Sequence, residues 1–175
     1  MFIVLRSLLQ RGIDMAFSLK VSVKKDDKVL RKILRNLSKT GSHNAVEVGW
    51  WNSRHPTGVP VAQVAAWNEE GHMTGMGGYS PPRPFLTIGF MGKLKRLKYS
   101  KYMPLVAEVA MGRLSWAVLN RTIAEDMVNL MKKSILDWNT PPNSPLTIAL
   151  KGHGEVLIDS GTLYDSIKSR VVRKT

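Results

Sequence analysis

Apolar and polar residues alternate strictly along residues 17–24, FSLKVSVK, and this pattern predicts a half-buried strand. Two aspartates then precede residues 28–39, KVLRKILRNLSK, where apolar residues recur at helical spacing. We expect an aspartate to be the N-cap of this helix and Gly41 to be its C-cap. Residues 1–16 precede the first clear pattern, and we interpret them as an N-terminal arm.

The middle of the chain contains a second predicted strand at 44–51, NAVEVGWW. Pro60 is well placed to start a short helix, VAQVAAWNEE, which we expect to stop at Gly71. Glycine, proline, serine and threonine punctuate residues 72–82, and this composition predicts an extended loop. The following RPFLTIGFM is predicted to be extended or briefly helical, with Phe85 and Leu86 anchored in the core.

A long apolar stripe at helical spacing predicts one helix from about Pro104 to Trp138. Proline and glycine punctuate residues 139–155, which we expect to form a second extended loop. Residues 156–167 are typical of a strand, a turn and a helical piece, and residues 167–173 of a closing strand. The predicted fold class is α+β, a single domain over 17–175 with a small, mostly antiparallel sheet packed against a long helix and shorter helices.

Composition narrows the class of protein further. The chain has 175 residues, of which 43% are hydrophobic, so it can bury a core and is not expected to be globally disordered. It contains no cysteine, which excludes disulfides, thiolate metal sites and cysteine nucleophiles. Its apolar runs are shorter than the ~18–20 residues of a membrane span, and no charged segment precedes the first one. We therefore expect a soluble protein with no signal peptide and no membrane partner.

Positive charge is concentrated in three segments. The net charge is +13, and residues 20–39, 91–102 and 168–174 contain 17 of the 26 basic residues and only two acids. Such segments are typical of a surface that faces an anionic partner, although a solvated basic face without a partner is the alternative. The candidate interface or DNA-facing residues are Lys28, Arg31, Lys32, Arg35, Lys93, Lys95, Arg96 and Lys98.

Motifs for catalysis or cofactor binding are weak in this sequence. The four histidines have no metal-ligand spacing, and the glycines at 75–78 lack the Lys-Ser/Thr that completes a phosphate loop. A metal site at Glu69, Glu70 and His72 is conceivable, but carboxylates at a loop edge are usually solvated or cap a turn. Asp159 is interpreted as the N-cap of the turn from Gly161. We expect no enzyme, no metal and no cofactor.

Two sequence blocks, in this order, carry a family resemblance. The first reads AAWNEEG near residue 67 and continues through a glycine-rich loop to PPRPFL at 81–86. The second reads NSPLTIALKG at 143–152, followed by LIDSGTLYDSI at 157–167. Over residues 45–172 this arrangement resembles the neck and tail-completion proteins of tailed bacteriophages, the virion morphogenesis and minor tail protein families that include lambda Z-like proteins. The chain departs from their pattern at Asn68, at Ser160 and in its longer N-terminal arm.

The resemblance implies a non-enzymatic virion component at the head–tail junction, assembled in the host cytoplasm. It implies a homo-oligomeric ring, a hexamer or else a dodecamer, that joins a tail terminator or connector and completes the tail. Other neck and tail proteins would be partners, and the basic segments would meet either packaged duplex DNA or acidic neighbours. Arg83 is expected to be free to pair with an acid such as Glu69 or Glu70. The motif residues are expected to be scaffold positions, and they are Glu69, Glu70, Arg83, Pro84, Phe85, Asp159, Gly161 and Leu163.

Two other function classes stay open at this point. One is a free basic nucleic-acid-binding module, which the charge alone would support but which does not account for the paired blocks. The other is a hydrolase that uses Asp159, Asp165 and a histidine, since two nearby carboxylates can differ in pKa. The sequence places neither a nucleophile nor an oxyanion donor beside them.

Overall fold

Helices and four short strands make up the described part of the chain, and the fold class is α+β, as the sequence predicts. The computed structural model describes residues 28–39, 44–75, 77–97 and 99–173. The arm at 1–16, the strand at 17–24, the caps at Asp26 or Asp27 and at Gly41, and the side chain of Lys98 lie outside the described residues.

The elements follow one another along the chain with short connections. The first half contains α1 (Lys28–Leu37), β1 (Asn44–Gly49), α2 (Val61–Glu70), β2 (His72–Met73), β3 (Tyr79–Ser80), a π-helix (Phe85–Phe90) and α3 (Met91–Arg96). The second half contains a 3₁₀ turn (Tyr99–Tyr102), α4 (Met103–Met111), α5 (Trp116–Leu136), α6 (Pro145–Lys151), α7 (Thr162–Asp165) and β4 (Lys168–Arg173).

The described residues divide into two compact units, each built from separate stretches of chain. The first unit comprises residues 48–97 and 127–168. The second comprises residues 28–47, 99–126 and 169–173. Both motif blocks belong to the first unit, and the basic helix α1 belongs to the second.

In the first unit, α2 begins and ends where the sequence predicts. Pro60 is its N-cap residue, and Gly71 ends it at φ 77°, a left-handed conformation that favours glycine. Val61, Ala65 and Glu69 are buried at four-residue intervals, so they form one face of the helix. The apolar members of this face pack into the core, and Glu69 enters it as a charged residue.

The π-helix contributes the most deeply buried aromatic side chains of the first unit. Phe85, Leu86 and Phe90 are all buried, which confirms that this segment anchors the core. The Ser134 hydroxyl of α5 donates to the Phe85 carbonyl. A Cβ at Gly89 would overlap that same hydroxyl, so the glycine permits the close approach of helix α5.

The predicted loop at 72–82 contains a short hairpin instead. Strands β2 and β3 pair antiparallel, His72 opposite Ser80 and Met73 opposite Tyr79. The Gly77 amide donates to the Thr74 carbonyl over 3.0 Å and closes the turn. Glycine and threonine here form a hydrogen-bonded turn between paired strands, which a reading of breaker residues alone could not distinguish from an open loop.

The second predicted loop, 139–155, contains helix α6. Ser144 accepts a hydrogen bond from the Thr147 amide at 3.1 Å, Pro145 occupies the first helical turn, and Gly152 closes the helix in the left-handed conformation. These are standard capping positions, so the sequence did contain the start and stop signals of this helix. By contrast, the strand expected from residue 156 is absent, and residues 156–161 are irregular.

In the second unit, β1 and β4 pair into a two-stranded sheet, which confirms both predicted strands. The carboxylate of Glu47 on β1 is buried and meets the guanidinium of Arg170 on β4, with Nη2 to Oε2 at 2.7 Å. This ion pair joins the two strands through their side chains as well as through their backbones.

The single long helix expected from Pro104 to Trp138 is wrong, because the chain breaks it into α4 and α5. Gly112 ends α4 at φ 77°, and the Arg113 amide turns back to donate to the Glu108 carbonyl at 2.9 Å. Ser115 then caps α5 by accepting from the Val118 amide at 3.3 Å. Residues 112–115 therefore contain both a helix stop and a helix start, which the continuous apolar stripe concealed.

Candidate functional site: the joined motif blocks

Glu69 lies at the end of α2 and binds the start of the π-helix. It is only 8% exposed, and its carboxylate accepts from the Leu86 amide at 2.8 Å, the Thr87 amide at 2.9 Å and the Thr87 hydroxyl at 2.6 Å. A carboxylate that accepts the unpaired amides of a helix start is stabilised by them and by the positive end of the helix dipole. Glu69 is thus a structural cap, and Glu70 beside it is exposed.

Arg83 does not pair with Glu69 or Glu70, contrary to the sequence-based expectation. Its side chain is 7% exposed and donates to the Ser80 hydroxyl at 3.2 Å, the Pro141 carbonyl at 3.4 Å and the Asn143 side-chain oxygen at 3.3 Å. Because these acceptors are neutral, burial lowers the pKa of the Arg83 guanidinium below its ordinary value. Pro84 follows and fixes the entry into the π-helix.

Asn143 connects the two motif blocks. While its side-chain oxygen accepts from Arg83 of the first block, its amide donates to the Glu155 carbonyl at 3.0 Å and the Gly154 carbonyl at 3.4 Å. Asn143 is itself buried. One side chain therefore fastens the PPRPFL segment to both ends of the α6 segment, and sequence reasoning gave it no role.

Asp159 does not cap the following helix, contrary to the sequence-based interpretation. It is exposed, and the N-cap position of α7 is Gly161 at φ 76°. No side chain caps this helix start, although the Ser160 hydroxyl accepts from the Thr162 amide at 3.4 Å. Leu163 is buried as expected, and its carbonyl accepts from the Trp50 indole at 2.8 Å.

The two blocks also line a shallow groove of about 280 Å³ in the first unit. Trp67 and Asn68 of the first block face residues 157–163 of the second across it. The Ser160 hydroxyl lies 3.4 Å from Nε2 of His55, whose Nδ1 contacts the Thr57 hydroxyl at 3.0 Å. His55 thus contacts hydroxyls at both nitrogens, whereas a catalytic serine–histidine pair would use a carboxylate to orient the histidine.

Helix α6 exposes large apolar side chains on the second block. Leu146 is 70% exposed and Leu150 is 79% exposed, and their spacing of four positions in sequence places both on one face of the helix. Ile148 is also exposed. Neighbouring exposed leucines on a well-capped helix are typical of a surface that another protein covers.

The predicted basic residues belong to different environments. Lys28, Arg31, Lys32 and Arg35 are exposed on α1 in the second unit, whereas Lys93 of α3 in the first unit pairs with Asp137. That contact and a second one from Lys133 at 3.2 Å lower the pKa of the Asp137 carboxyl. Lys95 and Arg96 are exposed beside Lys93, and Lys98 has no described side chain.

Among the described residues, no group of three histidine, aspartate or glutamate side chains could hold a metal ion. The same part of the chain contains no helix that is both long and apolar enough to cross a membrane. In comparisons with known proteins, no family model, no curated protein and no solved structure matches this chain significantly.

Proposed function

We propose that this chain is a non-enzymatic structural subunit of a tailed-phage virion, placed at the head–tail junction and assembled into a ring of identical subunits. A hexamer is the proposed ring size, and neighbouring neck and tail proteins are the proposed partners. The observation that carries the proposal is the Arg83–Asn143 hydrogen bond, because it fastens together the two blocks on which the family resemblance rests.

The polar residues of the two blocks support a scaffold role. Glu69 uses its carboxylate on backbone and side-chain donors of the π-helix, and Arg83 uses its guanidinium on neutral internal acceptors. Residues committed to such bonds stabilise one conformation of the chain, and none of these contacts requires a substrate. A structural subunit needs this rigidity because its surfaces must fit neighbours repeatedly around a ring.

The exposed leucines of α6 support contact between subunits. A ring of identical subunits uses heterologous contacts, in which one surface of each subunit meets a different surface of the next. The core of such a contact is apolar, and Leu146 and Leu150 supply an apolar pair on the second block. We therefore place one side of the subunit contact at helix α6.

The mass of the purified chain in solution tests this proposal, by light scattering or native mass spectrometry. We expect a discrete species of six chains, each of 19.6 kDa. The double variant Leu146→Ser/Leu150→Ser should be folded and monomeric. Leu136→Ser, an exposed leucine at the end of α5, is the matched control and should leave the ring intact. A wild-type chain that stays monomeric at every concentration contradicts the proposal.

The alternative function is a free basic nucleic-acid-binding module, and the exposed basic residues of α1 favour it. That alternative requires a monomer that binds nucleic acid with a steep salt dependence. It also requires that serine substitutions at Leu146 and Leu150 leave the mass of the wild type unchanged, since no ring would exist to be broken.

A further inference from the structure

Four basic residues form a single stripe on helix α1. Lys28, Arg31, Lys32 and Arg35 follow one another at spacings of three, one and three residues, so at 100° per residue they lie within an arc of about 100°. The rise of the helix spreads them over about 10 Å. All four are exposed. We call this set the α1 stripe.

A buried asparagine sets the rotation of this helix about its axis. Asn36 is 6% exposed, and its side-chain amide donates to the Ala110 carbonyl of α4 at 3.0 Å. The Trp116 indole, at the start of α5, donates to the Asn36 carbonyl at 2.9 Å. These bonds hold the edge of α1 next to Lys32 against the rest of the second unit, so they fix the orientation of the helix and of the stripe it carries.

Three charges of the stripe, those of Lys28, Lys32 and Arg35, are available to an external partner. Within the described part of the chain, no carboxylate forms an ion pair with Lys28, Lys32 or Arg35. Carboxylates in this part of the chain pair with other cations, as in the Arg113–Glu108 ion pair at 2.6 Å. A row of like charges on one helix face is destabilising unless an anion screens it, so the stripe favours a ligand with closely spaced negative charges.

We propose that the α1 stripe binds the phosphate backbone of duplex DNA without reading its sequence. Duplex DNA presents one negative charge for every ~1.7 Å of its axis, so the ~10 Å length of the stripe meets several phosphates. No apolar residue of α1 lies within the arc of the stripe, whereas the centre of a protein interface is depleted in charged residues, and this difference favours DNA over an acidic protein. The inference names the partner of one surface and rests on the proposed function only for the place of this contact in the virion.

Binding of the full-length chain to a short duplex, measured by fluorescence anisotropy between about 50 and 200 mM salt, tests the inference. The triple variant Lys28→Gln/Lys32→Gln/Arg35→Gln removes three charges of the stripe. Its matched control, Arg54→Gln/Arg121→Gln/Lys133→Gln, removes the same charge from exposed positions outside the three basic segments. Since each phosphate contact contributes about −0.9 to the slope of log K against log salt, we expect the stripe triple to flatten the slope by up to about 2.7.

The control triple should change the slope by less than one contact, about 0.9. Equal effects of the two triples would show that bulk charge attracts the DNA, and this result overturns the inference. If polyglutamate competes with DNA at an equal concentration of charge, the stripe binds acidic proteins, and this result also overturns the inference. Two duplexes of unrelated sequence should bind equally.

Asn36→Ala tests the preorganisation, because it removes the link to Ala110 without changing any charge. We expect binding to DNA to weaken several-fold while the net charge stays constant, and circular dichroism establishes that the variant is folded. Unchanged DNA binding by the folded variant would contradict the claim that a fixed orientation of α1 contributes to the binding. The mass of each variant separates the two proposals, since a ring that fails to bind DNA overturns only this inference.

Discussion

The guanidinium of Arg83 donates to the side-chain oxygen of Asn143 over 3.3 Å, and both residues are buried. This one bond links residues 60 positions apart in sequence. Arg83 keeps its charge beside neutral acceptors only, and Asn143 turns its amide to the carbonyls that follow α6. The stability of the first unit therefore depends on a polar contact that requires both Arg83 and Asn143.

Removing Asn143 should be strongly destabilising. Asn143→Ala leaves the Nη2 group of Arg83 without an acceptor and leaves the carbonyls of Gly154 and Glu155 without that donor. We expect a loss of about 2–4 kcal/mol in the free energy of unfolding, measured with urea. Asn129→Ala, at an exposed position of α5, is the control and should change it by less than about 0.5 kcal/mol.

A double-mutant cycle isolates the contact itself. Arg83→Met and Asn143→Leu each remove one partner, and the double variant removes the unsatisfied group that either single variant leaves behind. We expect the double variant to be more stable than the sum of the single losses predicts, by about 0.5–3 kcal/mol. Strict additivity would mean that Arg83 and Asn143 act independently.

Glu69 should contribute more to stability than its neighbour. Glu69→Gln keeps the size of the side chain but turns an amide group towards donors at Leu86 or Thr87, so a donor must face a donor. We expect a loss of about 2–3 kcal/mol in the free energy of unfolding. Glu70→Gln at the adjacent exposed position should be nearly neutral. Equal losses in the two variants would contradict the capping role of Glu69.

The sequence predicted elements well wherever one local signal dominated. Pro60 and Gly71 bracket α2, and the residue types at 44–51 and 167–173 predicted β1 and β4, because these signals act within a few residues. The break between α4 and α5 was missed although Gly112 and Ser115 are ordinary helix-ending and helix-starting residues. An apolar stripe continues across these two residues, and its helical period predicts one uninterrupted helix.

The site was harder to predict than the fold, because its contacts are long-range. Burial of Phe85 and Leu163 follows from their apolar side chains, and both expectations are confirmed. The partner of Arg83 depends on where Asn143 lies in space, which charge matching cannot find. The sequence does contain one signal for Asn143, because its amide side chain directly precedes the Ser-Pro start of a capped helix.

A side chain at Gly112 should destabilise the protein, whereas a side chain at Gly92 should stabilise it. At Gly112 the backbone is left-handed, and a Cβ would lie 2.9 Å from Nδ2 of Asn36. Gly112→Ala should therefore cost about 1–3 kcal/mol in the free energy of unfolding. Gly92 lies within α3 with nothing near its Cβ position, and Gly92→Ala should be stabilising by about 0.5–1 kcal/mol.

Tyr102 should make the protein sensitive to alkaline pH. Burial, followed by a hydrogen bond from its hydroxyl to Asp126 at 2.8 Å, raises the pKa of Tyr102 above its ordinary value of 10.0. The unfolded chain then loses this proton before the folded chain does, so the stabilisation is complete below about pH 10 and is lost as the pH rises further.

The measurement is the free energy of unfolding against pH, together with ultraviolet titration of the phenolates. Wild type should show a late-titrating tyrosine, and Tyr102→Phe should lack it and lose less stability above pH 10. Tyr79→Phe, at an exposed tyrosine, is the matched control and should keep the late titration. Identical alkaline profiles for wild type and Tyr102→Phe would contradict the assignment.

We propose that the chain is a ring-forming structural subunit, and the decisive measurement is its mass in solution. Light scattering across a range of concentrations should give a discrete species of six 19.6 kDa chains, which the serine double variant at Leu146 and Leu150 reduces to one. A wild-type chain that is monomeric throughout, or a ring that survives both substitutions, would contradict the account of how the subunits assemble.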